Sequence, residues 1–219
     1  MALDRTPLHP FVAPAGIALF GASPTKGTLG FGLAKNISQG DFAERCHFIN
    51  PKHSEIEGRP CHPSLEEIDA RISLALIASP ADSVPSILEA CGKRNIQSAI
   101  VYSAGFNDGD VNSSDSFRRM TEVAARKRIR IFGPKALGFA LPHSGLNATP
   151  ITKTVPTGNL AFVSQSSAIC AGILDWSMNN EFGFSAIFCP GEGTDLELPE
   201  ILDYLAADPH TESILLYLE

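Results

Sequence analysis

Residues Ile17–Gly32 read IALFGASPTKGTLGFG. Four apolar residues run into a turn holding Gly21, Gly27, Gly30 and Gly32, interleaved with Ser23, Thr25, Lys26 and Thr28, before an apolar helical pattern begins. The order is strand, glycine-rich loop, helix start. Glycines in such a loop let backbone N–H groups approach a ligand, and the helix N-terminus adds partial positive charge, so the natural guest is a phosphate or pyrophosphate. The spacing departs from G-x-G-x-x-G, and a dinucleotide fingerprint is a poor fit. The identity of the ligand therefore rests on residues elsewhere.

Beyond the loop, strand and helix patterns alternate. Helices are expected over 33–38, 64–68, 84–93 (behind Asp82 or Ser83 as cap) and 116–127, and strands over 46–49, 74–78, 99–102 and 129–132. Short apolar strands between helices imply parallel βαβ units covered on both faces, so the first ~140 residues read as a doubly wound α/β domain. Pro134, Pro142, Pro150 and Pro156 break the rhythm over 133–158, which reads as an interdomain connection carrying a loop of the first domain. Strands at 160–163, 185–189 and 214–218 and helices at 167–178 and 200–206 follow. The expected layout is a first domain over 1–141, a linker over 142–157 and a second α/β domain over 158–219. Three strands are few for an open α/β sheet, usually about 5–6. The chain accordingly reads as the N-terminal portion of a longer protein, and an open edge in its second domain would favour a homo-oligomer.

Composition sets limits on partners. Of 219 residues, 44% are hydrophobic, ordinary for a globular core, and the formal net charge of −7 argues against nucleic acid as the main partner. No apolar run approaches ~18 residues, so no membrane span is expected. The N-terminal MALDRTPLHP lacks the basic-then-apolar order of a secretory signal. Five cysteines without a C-x-x-C pair suit reduced, packed thiols in a cytoplasm, with neither zinc nor a disulfide framework implied. An acidic protein that binds a polyanion needs local cations; Lys26, Lys52 and Arg59 are the candidates.

In open α/β sheets ligands lie at the carboxyl ends of the strands. NAD-binding folds place Asp or Glu after the second strand to hold the ribose hydroxyls. Here that strand ends Ile49-Asn50-Pro51-Lys52, and a cation suits a ligand with phosphate on its ribose, such as NADP or coenzyme A; a solvated turn lysine is the plain alternative. The third strand ends at Ser79-Pro80 and the fourth at Tyr102-Ser103-Ala104-Gly105-Phe106. Small residues and backbone amides there would let an extended chain such as pantetheine lie close to the backbone.

Taken in order, IALFGAS, INPKHSEIEGRPCHPSLEEI, the SP and YSAGF strand ends, FGPKALGFALP, LNATP, GNLAFVSQSS, ILDWS and ILLYLE resemble the NDP-forming acyl-CoA synthetases, relatives of the succinyl-CoA ligase α subunit. The same domains occur in a group of multidomain protein lysine acetyltransferases. The resemblance implies a Rossmann-like CoA-binding domain followed by an incomplete flavodoxin-like α/β domain, and it selects CoA over NADP. By position, the implied CoA contacts are Gly21, Ser23, Lys26, Gly27, Lys52, Ser79, Pro80, Ser103, Ala104 and Gly105. The turn Ser164-Gln165-Ser166, with Ser167, would stabilise the phosphate of a phosphohistidine at a helix N-terminus, and Glu219 would pair with the catalytic histidine. That histidine falls at none of His9, His47, His53, His62, His143 or His210, and His143 and His210 read as surface residues. The resemblance thus implies that this chain binds CoA, while ATP/ADP, Mg and the rest of the ligase cycle depend on an ATP-grasp domain or subunit.

Several residues depart from the family pattern. Gly133-Pro134-Lys135 stands where GPN is usual, Ser167 replaces a glycine, and Gly191-Glu192-Gly193-Thr194-Asp195 replaces a GNKAD-like segment. These changes cluster on the phosphoryl and acyl-transfer face. A CoA-sensing regulatory domain of an acetyltransferase is the alternative expectation, with a NADP-dependent oxidoreductase a distant third. A valine at Gly27 or Gly30 is expected to weaken ligand binding without unfolding the domain.

Overall fold

The structure is a computed structural model that describes residues 6–106, 111–180 and 182–219. Met1–Arg5, part of the stretch read for a secretory signal, lie outside the described residues.

In chain order the elements are α1 (His9–Val12), β1 (Ile17–Phe20), α2 (Leu29–Gln39), β2 (Cys46–Ile49), β3 (Glu55–Ile56), β4 (Arg59–His62), β5 (Leu74–Ile77), α3 (Val84–Lys93), β6 (Ser98–Val101), α4 (Val111–Lys127) and β7 (Arg130–Phe132). Then come β8 (Gly138–Leu141), β9 (Leu146–Asn147), β10 (Thr157–Ser164), α5 (Ser167–Asn179), β11 (Phe184–Cys189), α6 (Leu198–Ala207) and β12 (Ser213–Tyr217).

The first sheet has the order β3-β4-β2-β1-β5-β6-β7. Its central strand β1 pairs in parallel with β2 on one side and β5 on the other. Every residue of β1, β5 and β6 is buried, as a parallel sheet covered on both faces requires. Side chains alternate between the faces with the strand period of two. Ala18, Phe20, Ala75, Ile77, Ala99 and Val101 pack with Val84, Leu88 and Cys91 of α3 and Met120, Val123 and Ala124 of α4. Ile17, Leu19, Leu74, Leu76 and Ile100 point the other way, onto Leu33, Ala34 and Ile37 of α2. Each fully buried Leu, Ile or Val contributes about 1.5–3 kcal/mol over its exposed state.

That second face also holds the two sheets together. Its cluster runs on through Phe132 of the first sheet, Phe139, Ala161, Val163 and Phe188 of the second, and Tyr204 of α6. The second sheet has the order β12-β10-β11-β8-β9: β10 pairs in parallel with β11 and β12, whereas β8 lies antiparallel to β11 and β9 antiparallel to β8. The proline-bearing connection, read as free of strands, thus supplies two strands to this sheet. Its 147–151 segment is bonded to the first domain: Asn36 Nδ2 donates to Thr149 O (2.7 Å) and Ile151 O (2.8 Å), and the Tyr102 hydroxyl donates to Ala148 O (2.6 Å). Arg130 of β7 adds a polar clasp, its Nε bonding Asp195 (3.0 Å) and its Nη2 bonding Glu200 (2.9 Å).

At the far edge, Ile214, Leu215, Leu216 and Tyr217 of β12 are all exposed. Among the described residues no helix is long and apolar enough to cross a membrane.

Candidate functional site

The chain leaves β1 for β2 on one side and later returns to β5 on the other, so the strand order reverses beside β1 and opens a crevice at the carboxyl ends. A cavity of about 630 Å³ fills it. One wall comes from three strand ends: Gly21 and Ser23 after β1, Asn50-Pro51-Lys52 after β2, and Ser79-Pro80 after β5. The other side comes from the segment after β4 and from α3, where Pro63, Leu65, Ile87 and Ala90 supply apolar surface beside Ser64, Glu66, Ser83 and Ser86. A mostly apolar pocket with a few convergent polar groups is the usual form of a small-molecule site.

Local geometry explains the polar wall. Gly21 has φ +81°, and a Cβ there would lie 2.9 Å from Ala78 O, so glycine allows the β1 loop to pass against the β5 end. Thr28 caps α2, its Oγ1 accepting from Phe31 N (3.2 Å) and donating to Thr25 O (2.8 Å). Asn50 Nδ2 donates to Ala22 O (2.8 Å) while its Oδ1 accepts from Lys52 N (3.0 Å), which fixes the turn that carries the exposed Lys52 beside the glycine loop.

Five expected contacts, Gly21, Ser23, Lys52, Ser79 and Pro80, line this cavity together. Lys26 and Gly27 do not. The tight turn in which Thr25 N donates to Ser23 Oγ (3.1 Å) carries them outward, and they line a neighbouring hollow of about 530 Å³ with Lys35 and Thr152. Ser103 is buried and donates its hydroxyl to Ser79 O, bracing that strand end from behind. Exposed Ala104 and half-buried Gly105 lie off the cavity. Arg59 is not available to a ligand: its guanidinium donates to Ala43 O and Cys46 O and lies over the Phe48 ring. Gly30, paired with Gly27 in the expected valine test, lines the cavity and is also tightly packed, since a Cβ there would fall 1.9 Å from Gly21 O.

Residues missed by sequence reading are Asn50, which ties two strand ends, and the α3 wall. The spacing of Ser83, Ser86, Ile87 and Ala90 is that of one helix face, and this signal marks them once α3 is placed beside the β5 end.

The second candidate region lies at the start of α5. Ser166 is its N-cap and makes no side-chain capping bond, while Ser164 Oγ accepts from Ser166 N (3.1 Å). Gln165 is exposed, and its Oε1 accepts from Glu219 N (2.8 Å), which brings these two expected residues together. Ser167 Oγ lies 3.6 Å from Cys189 Sγ. Lys135 and Glu192, two of the residues read as departures from the family pattern, meet each other: Lys135 Nζ and Glu192 Oε1 are 2.8 Å apart, so cation and carboxylate offset one another. His143 and His210 are exposed, as expected, and stack with ring centroids 4.0 Å apart. Among the described residues no cluster of three His, Cys, Asp or Glu side chains is arranged to hold a metal ion.

Residues 15–142 match the model of the CoA binding domain, more than half of the chain. The chain belongs to the CoA binding domain family. Residues 157–219 match the succinyl-CoA ligase like flavodoxin domain. Among curated proteins, acetate–CoA ligase [ADP-forming] I of Archaeoglobus fulgidus is 37% identical over 94% of this chain and 30% of its own length. The α subunit of acetate–CoA ligase [ADP-forming] II of Pyrococcus furiosus is 32% identical over 95% of this chain and 45% of its own. Among solved structures, the dinucleotide forming acetyl-coenzyme A synthetase 1 of Ca. Korarchaeum cryptofilum, in complex with phosphate and ADP, superposes with a TM-score of 0.89 at 30% identity, covering 97% of this chain and 45% of that one. The chain therefore spans less than half the length of these relatives. They bear out the family resemblance and the Rossmann-like plus flavodoxin-like architecture. The acetyltransferase reading finds no support among them.

Proposed function

We propose that the cavity at the reversal of strand order binds coenzyme A, and that the chain is the CoA-binding portion of an ADP-forming acyl-CoA synthetase. One observation carries this reading: in a member of the CoA binding domain family, a glycine loop, a cation after the second strand and an apolar wall converge on a single cavity. In this assignment the diphosphate meets backbone amides of the Gly21–Ser23 loop, the ribose phosphate meets Lys52, and the base lies against Pro63, Leu65 and Ile87. Pantetheine runs out past Ser79 and Pro80 toward the Ser103–Gly105 strand end. Lys26, facing the neighbouring hollow, is left with at most a long-range electrostatic part.

The full reaction, acyl-CoA with phosphate and NDP giving acid, CoA and NTP through an acyl phosphate and a phosphohistidine, needs groups beyond these residues. Gln165, Ser166 and Ser167 at the start of α5 would receive the phosphoryl group, and Glu219 would orient the histidine. ATP/ADP and Mg belong to an ATP-grasp domain or subunit; relatives named as α subunits support such a division. We place the domain boundary within the proline-bearing connection and the protein in the cytoplasm, where five unpaired buried thiols stay reduced.

Calorimetry tests the CoA assignment. CoA should bind more tightly than dephospho-CoA, and Lys52→Ala should erase most of the difference. An exposed charge-assisted phosphate contact is worth about 1–2 kcal/mol, roughly fivefold to thirtyfold in Kd. Equal affinities for the two ligands in the unaltered protein would overturn the role of Lys52.

A further inference from the structure

The α3 side of the cavity carries two hydroxyls whose protons are already in use. Ser83 is the N-cap of α3, and its Oγ donates to Pro80 O (2.6 Å) instead of capping the helix. Three residues on, Ser86 Oγ donates to Ser83 O (2.7 Å). A hydroxyl has one proton and two lone pairs, so each oxygen is left to the cavity as an acceptor. Both serines line the cavity, and Ile87 and Ala90 continue the same helix face. The cation Lys52 stands across from them among the strand ends. Donor and acceptor are thus divided between the two sides of one crevice. Ser83 sits at the Pro80 end, and exposed Ser86 stands beside Ile87, with small Ala90 one turn farther along α3 leaving room for a ring.

We propose, on the assignment of the cavity to CoA, that Ser86 reads the base: its Oγ accepts a hydrogen bond from the exocyclic amine of adenine, so the site discriminates against a purine with oxygen at that position. Adenine presents an N–H donor there, whereas a 6-oxo purine presents an acceptor. With the 6-oxo base, two oxygens face each other across the contact. Ser86 can answer only by withdrawing its proton from Ser83 O, which forfeits the bond it already makes. The apolar neighbours Leu65 and Ile87 supply no such choice, because the two purines have nearly the same shape and apolar area. Lys52 supplies none either, since the ribose phosphate assigned to it is common to both ligands. One neutral hydrogen bond at an exposed position sets the scale of the preference, about threefold to tenfold in Kd. Ser86 is therefore a specificity residue for the base, separate from the groups that hold the phosphates.

The test is calorimetry on the 219-residue chain with two ligands, CoA and its analogue bearing hypoxanthine in place of adenine. CoA should bind about threefold to tenfold more tightly. In Ser86→Ala the two affinities should converge, while Ser86→Thr, which keeps the hydroxyl, should keep the preference. Alanine at this exposed helical position favours the fold, so a converged ratio cannot be ascribed to unfolding. Lys52→Ala should weaken both ligands alike and leave their ratio in place, which separates reading of the base from holding of the phosphate. Equal affinities in the unaltered chain would overturn the proposal, as would an undiminished preference in Ser86→Ala, which would pass the role to another acceptor such as Glu66. CoA binding without preference would overturn the role of Ser86 alone; no binding of CoA at all would overturn the assignment of the cavity and this role with it.

Discussion

Gly27 and Gly30 share one loop but answer differently to an added side chain. A Cβ on Gly30 overlaps Gly21 O, so Gly30→Val should cost on the order of 3 kcal/mol or more and lower Tm, whether or not ligand is present. At Gly27 nothing lies within 4 Å, but φ is +83°, and Gly27→Val should cost about 1–3 kcal/mol of backbone strain. Equal Tm values for the two variants would contradict this division. From the sequence the two glycines read alike, yet in the structure Gly30 both lines the cavity and packs against Gly21, whereas Gly27 faces the neighbouring hollow. The strand-end residues were more legible: Gly21, Ser79 and Lys52 lie one, two and three residues past the ends of β1, β5 and β2, and parallel topology gathers such positions at one edge. Lys26 lines the neighbouring hollow rather than the cavity, carried there by the Ser23–Thr28 turn, which no linear spacing reports. Ser98, buried in β6, leaves its hydroxyl without a partner, so Ser98→Ala should hold or raise the Tm; a marked drop would show that the hydroxyl is satisfied.

At the scale of elements, local pattern found most helices and parallel strands, while elements defined by distant partners escaped. β8 pairs with β11, far along the chain, and Pro142 and Gly145 beside it read as loop. The β3–β4 hairpin was missed because its strands are short; Glu57 and Gly58, both at positive φ, make its two-residue turn. The helix α2 begins at Leu29 rather than 33 because Gly30 and Gly32, apparent breakers, face backbone that a larger residue would meet. The Arg130 clasp joins β7 to α6, and Arg130→Met should destabilise by about 1–2 kcal/mol, since Asp195 and Glu200 are left together without a cation. Burial alone would raise Glu200, but its bonds from Arg130 and the Glu197 amide prevail and hold it below the ordinary glutamate range. A carboxyl lowered in the fold stabilises above its unfolded pKa, and that stability is lost as pH falls through the folded value. Acid unfolding should therefore be steeper in wild type than in Glu200→Gln; parallel curves would count against the clasp.

For the whole molecule, two sheets share one core, so the cavity beside β1 and the α5 turn sit on a common frame. β12 presents an exposed apolar edge, and such edges recruit other chains. Leu215→Lys should therefore reduce self-association in sedimentation velocity, and an unchanged distribution would show the edge to be inert. The central claim is that one particular crevice holds CoA. Its most direct test is a crystal structure of the chain grown with CoA. The nucleotide should lie between Gly21, Lys52 and Ile87 with its ribose phosphate at Lys52; density in the Lys26–Lys35 hollow instead, or none in the crevice at saturating CoA, would contradict it.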